Sequence, residues 1–270
     1  MTAGGSAAFM DIDWKTYEAV LFDLDGVLTA TAALHARAWK RMFDDFLAAR
    51  ASRAGAAAAP FELPRDYALH VDGLPRYDGV RGFLAARRID LPAGSSEDPV
   101  DRDTVCGLGN RKQQLFSDLL AAEGVEAYPG SVAVVRHLVA NKVRTGVVSS
   151  SRTCEAILAA AGLSHLFGVR IDGVVAAERG LAGKPAPDTF LQAARDLGAV
   201  PARSAVVEDA ISGVAAGRAG GFGLVVAIDR TGSAEALARA GADIVVKDLG
   251  DTLRDGADAS GSGAAGGTGR

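Results

Sequence analysis

Cysteine is scarce in this 270-residue sequence, which contains only Cys106 and Cys154. Two cysteines cannot build the disulfide framework of a small secreted domain, and the residues around them lack the spacing of a zinc site. Basic residues show no excess, because 29 Lys and Arg stand against 33 Asp and Glu. The composition therefore predicts no nucleic-acid partner, and it fits a reducing, cytoplasmic setting.

Long apolar runs are also missing. No stretch is long and apolar enough to span a membrane, and the segment at residues 1–10 lacks the basic and apolar regions of a signal peptide. We expect a soluble protein with no membrane partner, and we take it to be a monomer. With 49% hydrophobic residues, the chain can form a substantial core in one or two domains.

The segment EAVLFDLDGVLT, residues 18–29, places two carboxylates directly after an apolar run. Residues 19–22 have the continuous hydrophobic character of a strand buried on both faces of a parallel sheet, and Gly26 allows a sharp turn. Carboxylates at the end of a buried strand are costly unless a cation or several donors compensate them. Asp23 and Asp25 therefore favour a chemical role, although this segment alone is also compatible with an acidic turn.

The rest of the chain shows two different sequence patterns. Residues 31–124 show helical periodicity broken by loop chemistry, which predicts a helical insertion, whereas apolar strands alternate with helices from residue 129 onward. Such alternation predicts a parallel sheet with helices on both faces, and in it we expect residues 169–176 to be extended. The expected domains are an α/β core of residues 1–30 and 125–254, a helical domain of residues 31–124, and a disordered tail of residues 255–270.

Polar residues follow several predicted strands at the edge where α/β proteins bind ligands. They are Asp23 and Asp25 after the first strand, Ser149, Ser150 and Ser151 after the second, and Glu208 and Asp209 at the end of a later one. Serines before a helix form an anion site or, alternatively, a simple helix cap, and the second acidic pair alone is also typical of a capping turn. Lys184, in a loop stiffened by Pro185, is a candidate phosphate counter-ion, with a solvated lysine as the alternative.

The ordered set of segments DLDGV, VVSSS, GKPAPD and VVEDA resembles the haloacid dehalogenase superfamily of phosphoryl-transfer enzymes. The resemblance implies a doubly wound, Rossmann-like core with an inserted helical cap. It also implies that Asp23 attacks phosphorus and forms an aspartyl-phosphate. Asp25 would then act as the general acid and base.

The same resemblance implies a Mg²⁺ cofactor and a phosphate site. The ion would be bound by hard oxygen ligands, namely the carboxylates of Asp23, Glu208 and Asp209 and the carbonyl of Asp25. The oxygens of the transferring phosphoryl group would contact Ser149, Ser150 and Lys184.

The helical insertion directly after the first motif is similar to the cap of the β-phosphoglucomutase subgroup. On this resemblance, Thr31 and His35 would support the acid/base residue and the hinge, and Lys112 would be the partner of His35. Arg76 would extend from the cap to a second phosphate on the substrate.

From the core side, Ser151 and Arg152 would contact that second phosphate on the same resemblance. The sequence departs from the subgroup at Ala30, at Gln113 where an asparagine is usual, and at Thr153, and its cap is longer. These departures leave the identity of the sugar and of the phosphate acceptor open.

The leading interpretation is a Mg²⁺-dependent phosphotransferase acting on a small phosphorylated sugar, with β-phosphoglucomutase-type interconversion of β-glucose 1-phosphate and glucose 6-phosphate. A sugar-phosphate phosphatase is the alternative, because water as acceptor would use the same residues. A non-catalytic binding domain is a third interpretation. The presence of Asp23, Asp25, Lys184 and Asp209 together argues against it.

Overall fold

A computed structural model describes residues 12–55 and 59–253 of the chain, so the predicted tail of residues 255–270 lies outside the described residues. The strands form one parallel sheet of six strands in the order β3-β2-β1-β4-β5-β6. Their bounds are β1 Ala19–Phe22, β2 Arg144–Val148, β3 Val169–Ile171, β4 Ser204–Glu208, β5 Leu224–Ile228 and β6 Ile244–Val246. The predicted α/β fold with a parallel sheet is confirmed.

The central strand β1 is buried because its side chains alternate between two apolar layers. Val20 and Phe22 belong to one hydrophobic cluster, and Leu21 between them belongs to another on the opposite face. Each of these residues is fully buried. Since helices cover both faces, the strand has no polar side, which explains its continuous apolar sequence.

The helices fall into two groups according to their place in the chain. The α-helices in the described residues are α1 Ala32–Ala54, α2 Arg65–His70, α3 Arg76–Ala86, α4 Val105–Glu123, α5 Pro129–Ala140, α6 Cys154–Ala160, α7 Gly173–Glu178, α8 Asp188–Asp196, α9 Ile211–Ala219 and α10 Ala234–Ala240. Helices α5 to α10 follow β-strands or precede them, whereas α1 to α4 all lie between β1 and α5. We refer to α1–α4 with their connecting loops as the cap, and to the remainder as the core.

One predicted element is wrong. Residues 169–176 are not extended throughout, because β3 ends at Ile171 and a helix, α7, begins at Gly173. The Asp172 carboxylate accepts hydrogen bonds at 3.0 Å from the backbone N–H groups of Val174 and Val175. This side-chain cap satisfies donors at the start of the helix and outweighs the strand propensity of the two valines.

The cap has a hydrophobic cluster of its own, built largely from aromatic rings. The ring of Phe83 lies 4.1 Å from that of Phe43 and 5.0 Å from that of Phe61, measured between centroids. A separate cluster is what a separately packed unit requires. It supports the predicted division of the chain, whose boundaries at residues 31 and 124 stay a prediction.

Two expectations from composition can be compared with the structure. Cys106 and Cys154 are both buried free thiols, so they form no disulfide with each other. Within the described part of the chain, no helix has the length and apolarity needed to cross a membrane.

We expect Phe83→Ala to lower the free energy of unfolding by about 3–5 kcal/mol, because it removes a ring from a closely packed aromatic cluster and leaves a cavity. Phe83 is 0% exposed, whereas Leu69 in the neighbouring helix is 64% exposed. Leu69→Ala is therefore the matched control and should change stability by less than about 0.5 kcal/mol. Urea denaturation measures both, and similar losses in the two variants would contradict the packing described.

Candidate active site

The candidate active site lies where β1, β2 and β4 end side by side. Strand β1 pairs with β2 on one side and with β4 on the other, and all run parallel. The chain passes from β1 to β2 and later returns to β4, so the order reverses at β1. At such a switch point the loops diverge and leave a crevice at the carboxyl ends of the strands. Asp23 follows β1, Ser149 follows β2, and Glu208 is the last residue of β4.

A buried lysine connects all three strand ends. Lys184 Nζ lies 2.5 Å from Asp23 Oδ1 and 2.5 Å from Glu208 Oε1, and it donates a hydrogen bond to the Val148 carbonyl at 3.1 Å. Burial alone lowers the pKa of Lys184, but the two carboxylates outweigh burial and raise the pKa above its ordinary value. Lys184 therefore stays charged and neutralises part of the acidic edge.

Asp23, Glu208 and Asp209 form a cluster whose carboxylate oxygens lie within 4.8 Å of one another. Burial and neighbouring carboxylates raise the pKa of Asp23 and Asp209. Lys184 carries one positive charge against three carboxylates, so the ionised cluster has excess negative charge. These hard oxygen ligands and this charge fit Mg²⁺. The predicted contribution of the Asp25 carbonyl stays a prediction.

Gly26 allows the first motif to approach this cluster closely. Its backbone has a φ of +90°, and a Cβ atom built there would lie 1.8 Å from Asp209 Oδ2. Any other residue would displace the Asp209 carboxylate and would also strain the backbone. The glycine of the DLDGV segment is therefore required on two independent grounds.

The carboxylate of Asp25 has different neighbours from those of Asp23. Thr31 Oγ1 donates a hydrogen bond to Asp25 Oδ1 at 2.5 Å, and His35 Nε2 lies 3.3 Å from the same oxygen. Ser149 Oγ lies 3.5 Å from the other oxygen. Burial raises the pKa of Asp25, but His35 and Thr31 outweigh it, so the pKa is lowered overall. Asp25 is therefore held in its ionised form.

His35 is in turn paired with Lys112, whose Nζ lies 2.5 Å from His35 Nδ1. Lys112 Nζ lies 5.0 Å from the ring centroids of Trp39 and Phe116, and the His35 ring stacks on Phe116 at 3.8 Å. Burial lowers the pKa of Lys112 to about 7, and burial together with Lys112 lowers the pKa of His35. The predicted pairing of His35 with Lys112 is present, and it places a basic group of the cap beside Asp25.

Arg76 is held by the cap helix α4. Its Nη1 donates a hydrogen bond to Gln113 Oε1 at 3.2 Å, and its Nη2 donates to the Tyr77 hydroxyl at 3.2 Å. The Tyr77 hydroxyl donates in turn to Asn110 Oδ1 at 2.9 Å. Gln113, one of the departures from the subgroup, thus directs the guanidinium of Arg76.

The serine run after β2 forms local hydrogen bonds. Ser151 N–H donates to Ser149 Oγ at 3.1 Å, and Ser150 Oγ donates to the Gly73 carbonyl at 2.6 Å. Because the Ser150 hydroxyl already contacts the cap, a phosphate contact by this residue would use its backbone N–H group. Its predicted phosphate-binding role stays a prediction.

Core and cap residues line a single cavity of about 680 Å³. The predicted site residues that line it are Asp23, Asp25, His35, Arg76, Lys112, Ser149, Ser150, Ser151, Arg152, Lys184 and Asp209. Thr31 and Glu208 are buried behind it and contact Asp25 and Lys184 respectively. The structure therefore brings all the predicted site residues to one place.

Sequence reasoning missed several residues of this cavity. Trp39, Tyr67, Asp72 and Arg81 also line it. Burial and the nearby Glu208 raise the pKa of Asp72 to about 7. Asp72 lies in the segment VDGLPR, residues 71–76, whose Gly and Pro are typical of a turn, and Arg76 at its end was the available signal that the segment belongs to the site.

Comparison with known proteins identifies the family. The model of the haloacid dehalogenase-like hydrolases matches residues 17–221. The chain belongs to this family. It is therefore an enzyme of the haloacid dehalogenase type, and the resemblance inferred from the ordered motifs is confirmed.

The chain is also similar to individual proteins of known name or structure. The chain is 51% identical over 238 residues to the β-phosphoglucomutase of Mycobacterium bovis, covering 87% of this chain and 91% of that protein. It is 30% identical over 213 residues to a fructose-1-phosphate phosphatase of Escherichia coli, covering 78% and 97%. The crystal structure of a Clostridium difficile β-phosphoglucomutase superposes with a TM-score of 0.67 at 22% identity, covering 87% and 92%. This last similarity concerns the fold.

The buried Lys112 leads to a prediction about stability and pH. Its pKa falls from 10.5 in a solvated chain to about 7 in the folded protein. Between these pH values the unfolded chain carries a proton that the folded protein lacks, so the free energy of unfolding rises with pH. We expect the free energy of unfolding of wild type, measured by urea denaturation, to rise relative to that of Lys112→Met between pH 7 and pH 9, a range that lies between the two pKa values. Parallel pH profiles in the two proteins would contradict this.

Proposed function

We propose that this protein is a Mg²⁺-dependent phosphotransferase that interconverts β-glucose 1-phosphate and glucose 6-phosphate. The observation that carries the proposal is that Asp23 on the core and Arg76 on the cap line the same cavity of about 680 Å³. A mutase must bind a bisphosphate intermediate by both ends, and this cavity is lined by acidic, nucleophile-bearing residues of the core and by a cationic residue of the cap, Arg76. The similarity to a mycobacterial β-phosphoglucomutase over 87% of the chain supports the same conclusion.

In the proposed reaction the Asp23 carboxylate attacks phosphorus while the bond between phosphorus and the leaving oxygen breaks, which gives an aspartyl-phosphate. The ionised Asp25 carboxylate removes a proton from the sugar hydroxyl that takes the phosphoryl group from Asp23, and it returns that proton to the leaving oxygen when Asp23 attacks the other phosphate. The contacts of Asp25 with Thr31 and His35 favour its ionised form, which is the form that accepts a proton. Lys184, at 2.5 Å from Asp23, limits repulsion between the carboxylate and the incoming phosphate.

We propose that Mg²⁺ binds to Asp23, Glu208, Asp209 and the carbonyl of Asp25. When bound, the ion would neutralise charge on the phosphoryl oxygens and on the carboxylates. The cluster of oxygens within 4.8 Å supports this assignment for the three carboxylates. Lys184, the Ser149 hydroxyl and the backbone N–H group of Ser150 would bind the remaining phosphoryl oxygens, because the backbone N–H of Ser149 already donates to the Ile171 carbonyl at 3.0 Å.

The phosphate that is not reacting would be bound at the opposite side of the cavity. Arg76 from the cap and Ser151 and Arg152 from the core, which line the same cavity, would contact this phosphate, and the two arginines supply positive charge. An arginine binds phosphate through a planar pair of N–H groups, which fixes orientation as well as charge. The sugar bisphosphate would turn between two successive transfers, so that each phosphate in turn reaches Asp23.

We also propose that the protein acts as a cytoplasmic monomer without a nucleic-acid partner. The buried free cysteines suit a reducing compartment, and the net charge of −4 is unfavourable for binding nucleic acid. Light scattering coupled to size-exclusion chromatography tests the oligomeric state.

A sugar-phosphate phosphatase is the second candidate. It is favoured by the 30% identity to a fructose-1-phosphate phosphatase, which covers 97% of that protein. The chemistry up to the aspartyl-phosphate would be the same, and water instead of a sugar hydroxyl would then be activated by Asp25.

The two candidates are separated by supplying β-glucose 1-phosphate, Mg²⁺ and a glucose bisphosphate primer, and by measuring glucose 6-phosphate and free phosphate together. We expect glucose 6-phosphate to dominate, and EDTA to stop the reaction until Mg²⁺ is restored. Asp23→Asn should reduce turnover by more than about a thousandfold, because no other group replaces the nucleophile. Asp45→Asn, at a carboxylate 65% exposed, is the control and should leave turnover unchanged. Release of phosphate without glucose 6-phosphate would exclude the mutase.

Arg76→Ala should lower kcat/KM for the mutase reaction by roughly one to three orders of magnitude, the scale of a lost charge-assisted contact to phosphate. Hydrolysis of a small phosphate ester without a second phosphate should fall far less. Arg41→Ala, at a side chain 71% exposed, provides a matched control. Equal losses in both reactions would show that Arg76 only stabilises the cap.

A further inference from the structure

A loop of the cap, residues 72–75, lies against the core and leads directly into Arg76 at the start of α3. We call it the docking loop. Two of its successive carbonyl groups accept hydrogen bonds from core hydroxyls. Ser212 Oγ donates to the Asp72 carbonyl at 2.9 Å, and Ser150 Oγ donates to the Gly73 carbonyl at 2.6 Å. The docking loop is therefore attached both to the segment after β2 and to the first turn of α9.

The docking loop also packs closely against the core. Gly73 has a φ of +68°, and a Cβ atom built there would lie 2.3 Å from Ser212 Oγ and 2.9 Å from Ala210 Cβ. Likewise, a Cβ atom built on Gly183 would lie 2.3 Å from Pro75 Cγ. Glycine on one side of each contact lets cap and core approach more closely than other residues would allow. The loop thus has one close-packed position on the core.

Ser212 connects the segment of the acidic cluster to the docking loop. It follows Asp209 by one short turn, so the segment that carries the acidic cluster also carries the hydroxyl that binds the docking loop. Arg76 begins on the other side of the same loop, and its guanidinium extends along the cavity to Gln113. Ser212 itself is outside the set of residues that line the cavity.

We propose that Ser212 is a positioning residue that sets the separation between the acidic cluster and Arg76, and with it the affinity for a substrate phosphorylated at both ends. The inference rests on the proposed function, because it takes Arg76 as the ligand of the second phosphate. Ser212 acts through the docking loop and touches neither phosphate. Its contribution therefore exists only while Arg76 is present to be positioned.

This dependence makes the inference testable by a double-mutant cycle. The probe is glucose 1,6-bisphosphate with Mg²⁺, and its binding is measured by titration calorimetry in an Asp23→Asn parent, so that no turnover occurs. The cycle compares the parent with Ser212→Ala, Arg76→Ala and the double variant. We expect Ser212→Ala to weaken binding by about 3–10-fold, the range of one neutral hydrogen bond. With Arg76→Ala already present, the same change should weaken binding by less than about 2-fold.

Ser204→Ala is the matched control. Ser204 Oγ also donates to a carbonyl at 2.9 Å, that of Val200, but both residues belong to the core. This variant should leave bisphosphate affinity unchanged. If Ser212→Ala fails to fold, Ser212→Cys keeps the shape with a weaker donor and should show a smaller loss with the same dependence on Arg76.

Equal losses from Ser212→Ala with and without Arg76 would overturn the inference, as would a comparable loss in Ser204→Ala. These results differ from a failure of the proposed function. Binding that depends on both Ser212 and Arg76, in a protein whose wild type makes no glucose 6-phosphate, would overturn the mutase and leave the positioning role. Failure of the parent to bind the bisphosphate would overturn both.

Discussion

The contact of the Lys184 ammonium with Asp23 and Glu208 is the interaction on which the catalytic edge depends. Glu208 is fully buried and Asp23 is 6% exposed, so neither carboxylate can rely on water for its charge. Removing one partner from a buried ion pair leaves an uncompensated charge, which costs several kcal/mol. Because Lys184 enters from the loop before α8, the edge forms only when β1, β4 and this loop are all in place.

Charge is divided between the two parts of the protein. The core supplies the acidic cluster at the strand ends, whereas the cap supplies Arg76 and the pair of Lys112 with His35. With Mg²⁺ bound at the acidic cluster, as proposed, a phosphorylated sugar would have favourable partners on both sides only when cap and core are close together. In this arrangement, the hydroxyl and glycine contacts of the docking loop are as much a part of substrate recognition as the charged groups themselves.

Features specified locally were predictable from the sequence, and features specified by tertiary approach were not. The strand Ala19–Phe22 and the carboxylates after it were predictable, because continuous apolar runs and ordered motifs are local signals. The role of Asp72 and Gly73 is not apparent from the sequence, because their contacts with the core come from residues far along the chain, Ser212 at 140 positions from Asp72 and Ser150 at 77 positions from Gly73. At residues 169–176 the strand prediction fails for a simpler reason, since Asp172 caps a helix that begins at Gly173.

During synthesis, strand β1 can pair only after much of the chain that follows it has been translated. Its register pairs Ala19 with Arg144 in β2 and with Ser204 in β4, so its nearest partner strand lies 144 − 19 = 125 residues further along the chain. A nascent chain thus exposes a fully apolar segment until the cap has been translated and β2 has left the ribosome. Helices α1 to α4 have partners nearer in sequence and can pack first. The inserted cap can therefore pack before the central strand has a partner strand, and during that interval the strand exposes apolar surface that favours aggregation.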